Sequence, residues 1–471
     1  MSRARGSRRS HSADPEINRS LQYSLKDGRA FAVMTGGGET YLAAFALFCR
    51  ATASQVALLS TLPALLGSLA QPLAAWAARR MGRRKPVILA GAILQALAWL
   101  PILAVPYLLP GKAIAVLLLL YTWYFAAGNL VPAPWTSLMG DLVPEQRRGR
   151  FFGRRTRLTS IFTFASLAAA GVILELSHLH GNTRLGFTII FLGACIARLI
   201  SARHLGRMQE PSGVHLPTPA EILSGPVLRQ LRDSGALWFS LYFTLMQAAV
   251  AIASPFFAVY MLRDLHFSYL EFMFNTGTAV FIQFVALNSW GRISDVFGNR
   301  LILMVTGMLV PLLPMLWTLT NNFWYLMAVQ CLSGLSWAGF SLSTGNLLYE
   351  LVPAERRSAY VALHNVLVAV AVFAGAMLAT LMIGVTPARS TFFGNPHITS
   401  VLLNLFLVST AARLLVAILL LERVRELRRP RRRITPRHFV FRVTRFNAFV
   451  GLLYDAISAV REDRPGTGKG T

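Results

Sequence analysis

The sequence predicts an all-α membrane protein of twelve transmembrane helices arranged as two pseudo-symmetric six-helix bundles. Three observations predict it: long apolar runs, basic residues confined to the gaps between them, and motifs that recur at nearly one spacing. Of 471 residues 54% are hydrophobic and only 14% charged, and the mean hydropathy is +0.51. That balance suits lipid as the solvent better than water.

A spanning helix needs roughly 20 mainly apolar residues, because each residue rises about 1.5 Å through a hydrocarbon core about 30 Å thick. Such runs fall at residues 30–49, 54–78, 86–109, 113–139, 156–177, 185–205, 235–261, 268–290, 300–320, 323–348, 359–384 and 398–421. A net charge of +26 would ordinarily suggest nucleic-acid binding, but the basic residues follow topology instead. With both termini inside, 39 of the 46 Lys and Arg lie in or beside the cytoplasmic segments. The external loops hold Arg50, Lys112, Arg184, Arg263 and Arg389, and Arg198 and Arg413 fall inside spans. This asymmetry is the positive-inside pattern, and it implies an anionic inner leaflet as partner and no nucleic acid. The first thirty residues lack the apolar core and cleavage site of a signal peptide, so the expected location is the cytoplasmic (inner) membrane. Cys49, Cys195 and Cys331 are odd in number and embedded in apolar runs, which supports neither a disulfide framework nor a metal site.

The chain divides into a basic cytoplasmic N-terminus (1–29), a first bundle (30–205), a polar central loop rich in proline (206–234), a second bundle (235–421) and a basic amphipathic tail (422–471). The two bundles echo one another. Asp141-Leu142-Val143-Pro144-Glu145-Gln146-Arg147-Arg148 reappears 209 positions on as Glu350-Leu351-Val352-Pro353-Ala354-Glu355-Arg356-Arg357. Gly82-Arg83 pairs with Gly298-Asn299 at a spacing of 216, and Ala197-Arg198-Leu199 with Ala412-Arg413-Leu414 at 215. A duplicated six-helix unit explains all three.

The loop after the eighth span reads Gly291-Arg292-Ile293-Ser294-Asp295-Val296-Phe297-Gly298-Asn299-Arg300, and the loop after the second keeps Gly82-Arg83-Arg84-Lys85 with Ala75 and Arg79 at the earlier positions. On these residues the chain resembles the major facilitator superfamily of secondary transporters, whose signature is a Gly-x-hydrophobic-small-Asp-x-x-Gly-Arg/Lys loop. The resemblance implies two rocking bundles, a substrate site near the midplane, and a cavity lined by helices 1, 4, 7 and 10. The polar and aromatic residues it selects are Trp123, Asn129, Trp135, Gln247, Trp337 and Asn346; Trp135 follows Pro132 and Pro134, which can bend helix 4 and re-aim neighbouring groups. Amides donate and accept while indoles offer broad apolar faces, which suits a small organic solute; helix packing is the competing explanation for each.

Intramembrane polar groups are expensive, so each one needs a reason to be there. Glu39 is the sharpest case. It follows Gly36-Gly37-Gly38, which permit close helix approach or local unwinding, and a carboxyl group there can bind and release a proton as the site opens to each side. The competing reading is an acid near the external mouth. Glu175 reads as an interfacial acid, and Arg198 and Arg413 as snorkelling side chains without a transport role. Asp141, Glu350 and Asp295 stand beside Arg148, Arg357, Arg292 and Arg300 at cytoplasmic helix ends, where ion pairs can latch the inner side; exposed pairs contribute only about 0–1 kcal/mol each.

Other functions find little support. Gly466 to Thr471 resembles a phosphate loop but has no strand before it or helix after it, and His178 with His180 is a weak metal pair. No cofactor, metal or catalytic residue is expected. A solute receptor or scaffold on the same fold is the alternative, with the tail as its output: Phe439, Val443, Phe446, Val450 and Leu453 follow a basic run at helical spacing.

Overall fold

The computed structural model describes residues 15–108, 110–144, 148–211, 235–352 and 357–426. The amphipathic tail, most of the central loop and the glycine-rich end lie outside them. Among the described residues twelve helices are long and apolar enough to cross a membrane. They are α1 (Pro15–Phe48), α2 (Ala53–Arg80), α3 (Lys85–Leu108), α4 (Ala113–Leu142), α5 (Arg148–Leu179) and α6 (Thr183–Gly206). The second set is α7 (Ala236–Asp264), α8 (Tyr269–Phe297), α9 (Asn299–Leu316), α10 (Phe323–Leu351), α11 (Arg357–Ile383) and α12 (Leu402–Arg423). A two-residue antiparallel ribbon, Arg389–Ser390 against Thr399–Ser400, joins α11 to α12.

One boundary differs from expectation. α1 begins at Pro15, well before residue 30, and buries Leu21 and Leu25 against Leu138, Phe151 and Leu205. Hydropathy falls at Lys26 and Arg29, but nothing in those residues stops backbone hydrogen bonding, so the helix runs on beyond the apolar stretch.

Helix ends follow local chemistry. Thr52 with Gln55 and Ser268 with Glu271 form capping boxes at α2 and α8, and Asn182 and Asn322 cap α6 and α10. Interruptions concentrate at prolines and glycines: α1 opens after Gly37 into a tight turn, α4 breaks before Pro132, α7 before Pro255 and α9 at Pro311.

The duplicated turns share a backbone device. Gly82 and Gly298 both hold positive φ, +62° and +86°, where side chains are disfavoured. A Cβ at Gly298 would fall 2.5 Å from a Glu426 carboxylate oxygen, whereas one at Gly82 would meet nothing. Gly298→Ala is therefore expected to cost about 1–3 kcal/mol, and Gly82→Ala about 1–2 kcal/mol, to be compared by apparent melting temperature in detergent.

Among the described residues the apolar core shared by the halves lies at one end. The Arg- and Lys-rich end, where α1 starts and α12 stops, is here the basic end. At the opposite, far end one apolar core draws on both halves, from Phe45, Leu117 and Phe191 to Phe256, Tyr260 and Phe406. At the basic end each half has a core of its own. α2 packs on α11 through its far segment, and α5 packs on α8. The molecule is thus closed at its far end, with separate cores at the basic end.

Candidate functional site

Glycines set the geometry around Glu39. A Cβ at Gly36 would collide with the backbone of α5 at Thr163, and one at Gly38 would fall 2.9 Å from both Ala194 of α6 and Trp99 of α3. Close approach and unwinding therefore occur together, and the chain reopens as a tight turn over Glu39–Tyr41. At about 1.5 Å per residue, Glu39 lies roughly 14 Å from Phe48 at the far end of α1, well inside the span.

Tyr124 of α4 donates its hydroxyl to Glu39 Oε1 at 2.5 Å. That ring is fully buried and stands edge-on to Trp99, with centroids 4.8 Å apart. Glu39 itself is half-buried and borders a cavity of about 190 Å³ between α1, α2 and α4, with Thr40, Ser60, Tyr121 and Phe125 among its walls.

A second acid lies deeper in the same half. Asp27 is 3% exposed; its Oδ1 accepts from Ser201 at 2.7 Å and its Oδ2 from Arg155 Nη2 at 3.2 Å. Arg198 of α6 donates to Ser201 at 2.8 Å and lies over the Phe31 ring at 5.0 Å. Its field acts on both Asp27 and Glu39, which are about 18 Å apart along α1. The expectation that Arg198 and Arg413 snorkel is overturned, since each is 2% exposed. Arg413 is held by Ser409 at 3.0 Å and by the carbonyls of Val310 at 3.2 Å and Val250 at 3.4 Å. Those carbonyls are available because α9 and α7 break there, exposing the electronegative ends of their first segments.

The predicted cavity residues separate. Trp123 is 40% exposed and sits two residues from both Tyr121 and Phe125, on roughly the opposite side of α4 from the cavity. Asn129 accepts from Gln71 at 2.7 Å and donates to the Phe125 carbonyl at 2.8 Å, a contact between α4 and α2. Asn346 belongs to the basic end, where it donates to Asn299 Oδ1 at 2.9 Å. Trp337 packs edge-on to Phe340. Trp135, which follows the two prolines of α4, lies under the Arg155 guanidinium at 4.4 Å. Gln247 keeps a buried Oε1, and Thr244 one turn earlier a buried hydroxyl, without hydrogen-bond partners among the described residues.

Two groups of basic-end charges each lie within one half. Asp141 pairs at 2.5 Å with Arg84, a fully buried residue to which the sequence reading gave no partner. Arg84 also donates to Ser137 at 3.0 Å, and the backbone amides of Arg84 and Lys85 donate to Glu210. The second half repeats the device: Asn299 and Arg300 amides donate to Glu426 at 2.7 and 3.1 Å, and Arg300 Nη2 reaches the Glu422 carbonyl. Glu210 and Glu426 both end an Arg-x-x-Glu stretch and stand 216 positions apart, a repeat that was present in the sequence. Arg292 and Glu350 stand at the basic ends of α8 and α10. The side chains of Asp295, Arg148 and Arg357 lie outside the described residues.

Two further polar residues join helices. Glu175, read as an interfacial acid, accepts from the Leu270 amide at 3.2 Å, which ties α5 to the first turn of α8 across the halves. His364, 5% exposed on α11, bonds Ser240 of α7 at 2.8 Å. His178 bonds Thr183 and meets Tyr269 edge-on, while His180 turns to the Leu176 carbonyl.

A family model described as Major Facilitator Superfamily matches residues 29–253 and 239–460. Among solved structures, a bacterial homologue of the iron transporter ferroportin in an inward-facing state is 16% identical, with TM-score 0.63, over 88% of this chain and 99% of its own. A bacterial homologue of the human lysosomal transporter Spinster, inward-facing and unoccupied, is 13% identical with TM-score 0.59, over 88% and 100%. The nucleoside transporter NupG is 13% identical with TM-score 0.58, over 86% and 99%. No curated protein sequence matches.

Proposed function

Because the chain belongs to the Major Facilitator Superfamily, a family of multi-pass membrane transporters, we propose that it carries a small organic solute across the cytoplasmic membrane by alternating access, with a proton bound at Glu39 as the coupling ion. The observation that carries this reading is the carboxyl group of Glu39: well inside the span, at the break of α1, hydrogen-bonded by Tyr124 and bordering a cavity. A titratable group so placed meets each side of the membrane in turn as one bundle rocks against the other. With both termini in the cytoplasm, as the basic residues favour, a molecule closed at its far end is the inward-open state. In this reading Gln247 and Trp337 offer the second half's contacts to the solute. Asp295, Arg292 and Arg300 would then approach the first half when the inner side closes, assisted by the anionic leaflet that holds the basic segments.

The test is thermal unfolding of the detergent-solubilised protein against metabolites and drugs, followed by counterflow of each stabilising compound in proteoliposomes. A ligand that binds the folded state raises apparent stability with the logarithm of its concentration over Kd. The expected result is a compound that undergoes counterflow and whose binding depends on pH in wild type but not in Glu39→Gln. Binding without counterflow would make the protein a receptor, and a pH dependence that survives Glu39→Gln would remove the proton from this residue.

A further inference from the structure

We propose that the Glu39 cavity binds a small organic ammonium ion in exchange for the proton, so that one carboxylate holds either cation but never both. The inference rests on the transporter reading above and adds the chemical class of the solute. Glu39 Oε1 is occupied by the Tyr124 hydroxyl, while Oε2 has no hydrogen-bond partner among the described residues and is not sealed from the cavity. The walls supply what an ammonium needs around a carboxylate: the aromatic side chains of Tyr121 and Phe125, the hydroxyls of Thr40 and Ser60, and aliphatic side chains elsewhere. No Lys, Arg or His lines the cavity. Aromatic faces attract a desolvated cation, and a carboxylate accepts its N–H bonds at the strength of charge-assisted pairs. At about 30 Å³ per water-sized group, the 190 Å³ space takes roughly six such groups, hence a small amine or the head of a longer one.

The charged and titratable groups that act on Glu39 or line its cavity are Tyr124 and Tyr121 on α4 and Arg198 on α6. Arg198 also serves Asp27, which Arg155 pairs from α5. With Glu39 ionised, Asp27, Glu39, Arg155 and Arg198 sum to zero, and either a bound proton or a bound ammonium raises the sum by one. The two occupants are therefore electrostatically equivalent for the bundle. In the exchange the carboxyl O–H bond breaks and its proton leaves to solvent, while an ammonium N–H donates to the carboxylate in its place.

The probe is butylammonium, set against butan-1-ol of equal heavy-atom count, with binding to the full-length purified protein measured calorimetrically from pH 5 to 9. The expected result is at least about tenfold tighter binding of butylammonium than of butan-1-ol. Its apparent Kd should rise about tenfold per pH unit on the acid side of the site's midpoint, with one proton released per amine bound. Glu39→Gln abolishes both the preference and the proton release. Phe125→Leu, which keeps the carboxylate, weakens the amine several-fold without changing the proton count and serves if Glu39→Gln does not fold. Equal binding of amine and alcohol, or amine binding unaffected by either substitution, overturns the ammonium site. If some other compound still undergoes counterflow in that case, the transporter reading stands without it; if nothing undergoes counterflow while the amine binds as expected, the site stands and the transporter reading fails.

Discussion

Arg198→Met is expected to cost about 3–5 kcal/mol of stability, because it removes a buried cation whose field acts on buried Asp27 and half-buried Glu39. Arg198 is 2% exposed, and the group it leaves most isolated is Glu39, since Asp27 keeps Arg155 and Ser201. The check is the apparent melting temperature of the detergent-solubilised protein. Asp27→Asn in the same chain should recover part of the loss and Glu39→Gln more of it. Arg413→Met provides the contrast. No acid acts on that guanidinium among the described residues, and its removal takes one donor from the Val310 carbonyl, at about 1–3 kcal/mol, while the Val250 carbonyl keeps the amides of Ala253 and Ser254. No carboxyl substitution should rescue Arg413→Met. If Arg198→Met were no worse than Arg413→Met and equally indifferent to Asp27→Asn and Glu39→Gln, the charge network of the first half would have no energetic meaning.

Glu175→Ala is expected to release the far end. The carboxylate bonds the Leu270 amide at the start of α8, where unpaired amides and the positive end of the helix dipole favour an anion. A hydrogen bond to a charged group contributes about 1.5–3 kcal/mol, so its loss should shift the balance between far-end-closed and far-end-open states about tenfold or more. Spin labels placed on the far ends of α5 and α8 read this directly as growth of a longer-distance population. Glu175→Gln, which keeps an acceptor, should shift it less. An unchanged distance distribution in Glu175→Ala would mean that apolar packing, such as Gly171 against Met273 and Tyr41 against Phe272, closes this end unaided.

Glu39 was legible in the sequence as a candidate, and the residues whose surroundings were not legible share a cause. Glu39 stood out because a carboxyl group within an apolar run has few bland explanations. Asp27 did not, because it sits between Lys26 and Arg29 and reads as part of a solvated segment. The helix continues through it, and the side chain turns to Ser201 and Arg155. Trp123 and Asn346 were chosen for lying on the right helices, yet residue type says nothing about rotation or depth: one is on the outer side of α4, the other at the basic end of α10.

By itself the sequence determined the number of spans, their approximate limits, the side on which basic residues gather, the internal duplication and the family. Each depends on hydropathy, charge or recurrence, properties that belong to residues in chain order. Only the tertiary structure decided which acid shares which arginine, that Arg84 holds Asp141, that Glu175 joins the halves, and that the far end is closed. Those are pairings between residues tens to hundreds of positions apart, set by the rotation and closest approach of packed helices. A linear pattern carries helix faces only up to that rotation, and small residues such as Gly36 and Gly38 fix it by letting backbones touch.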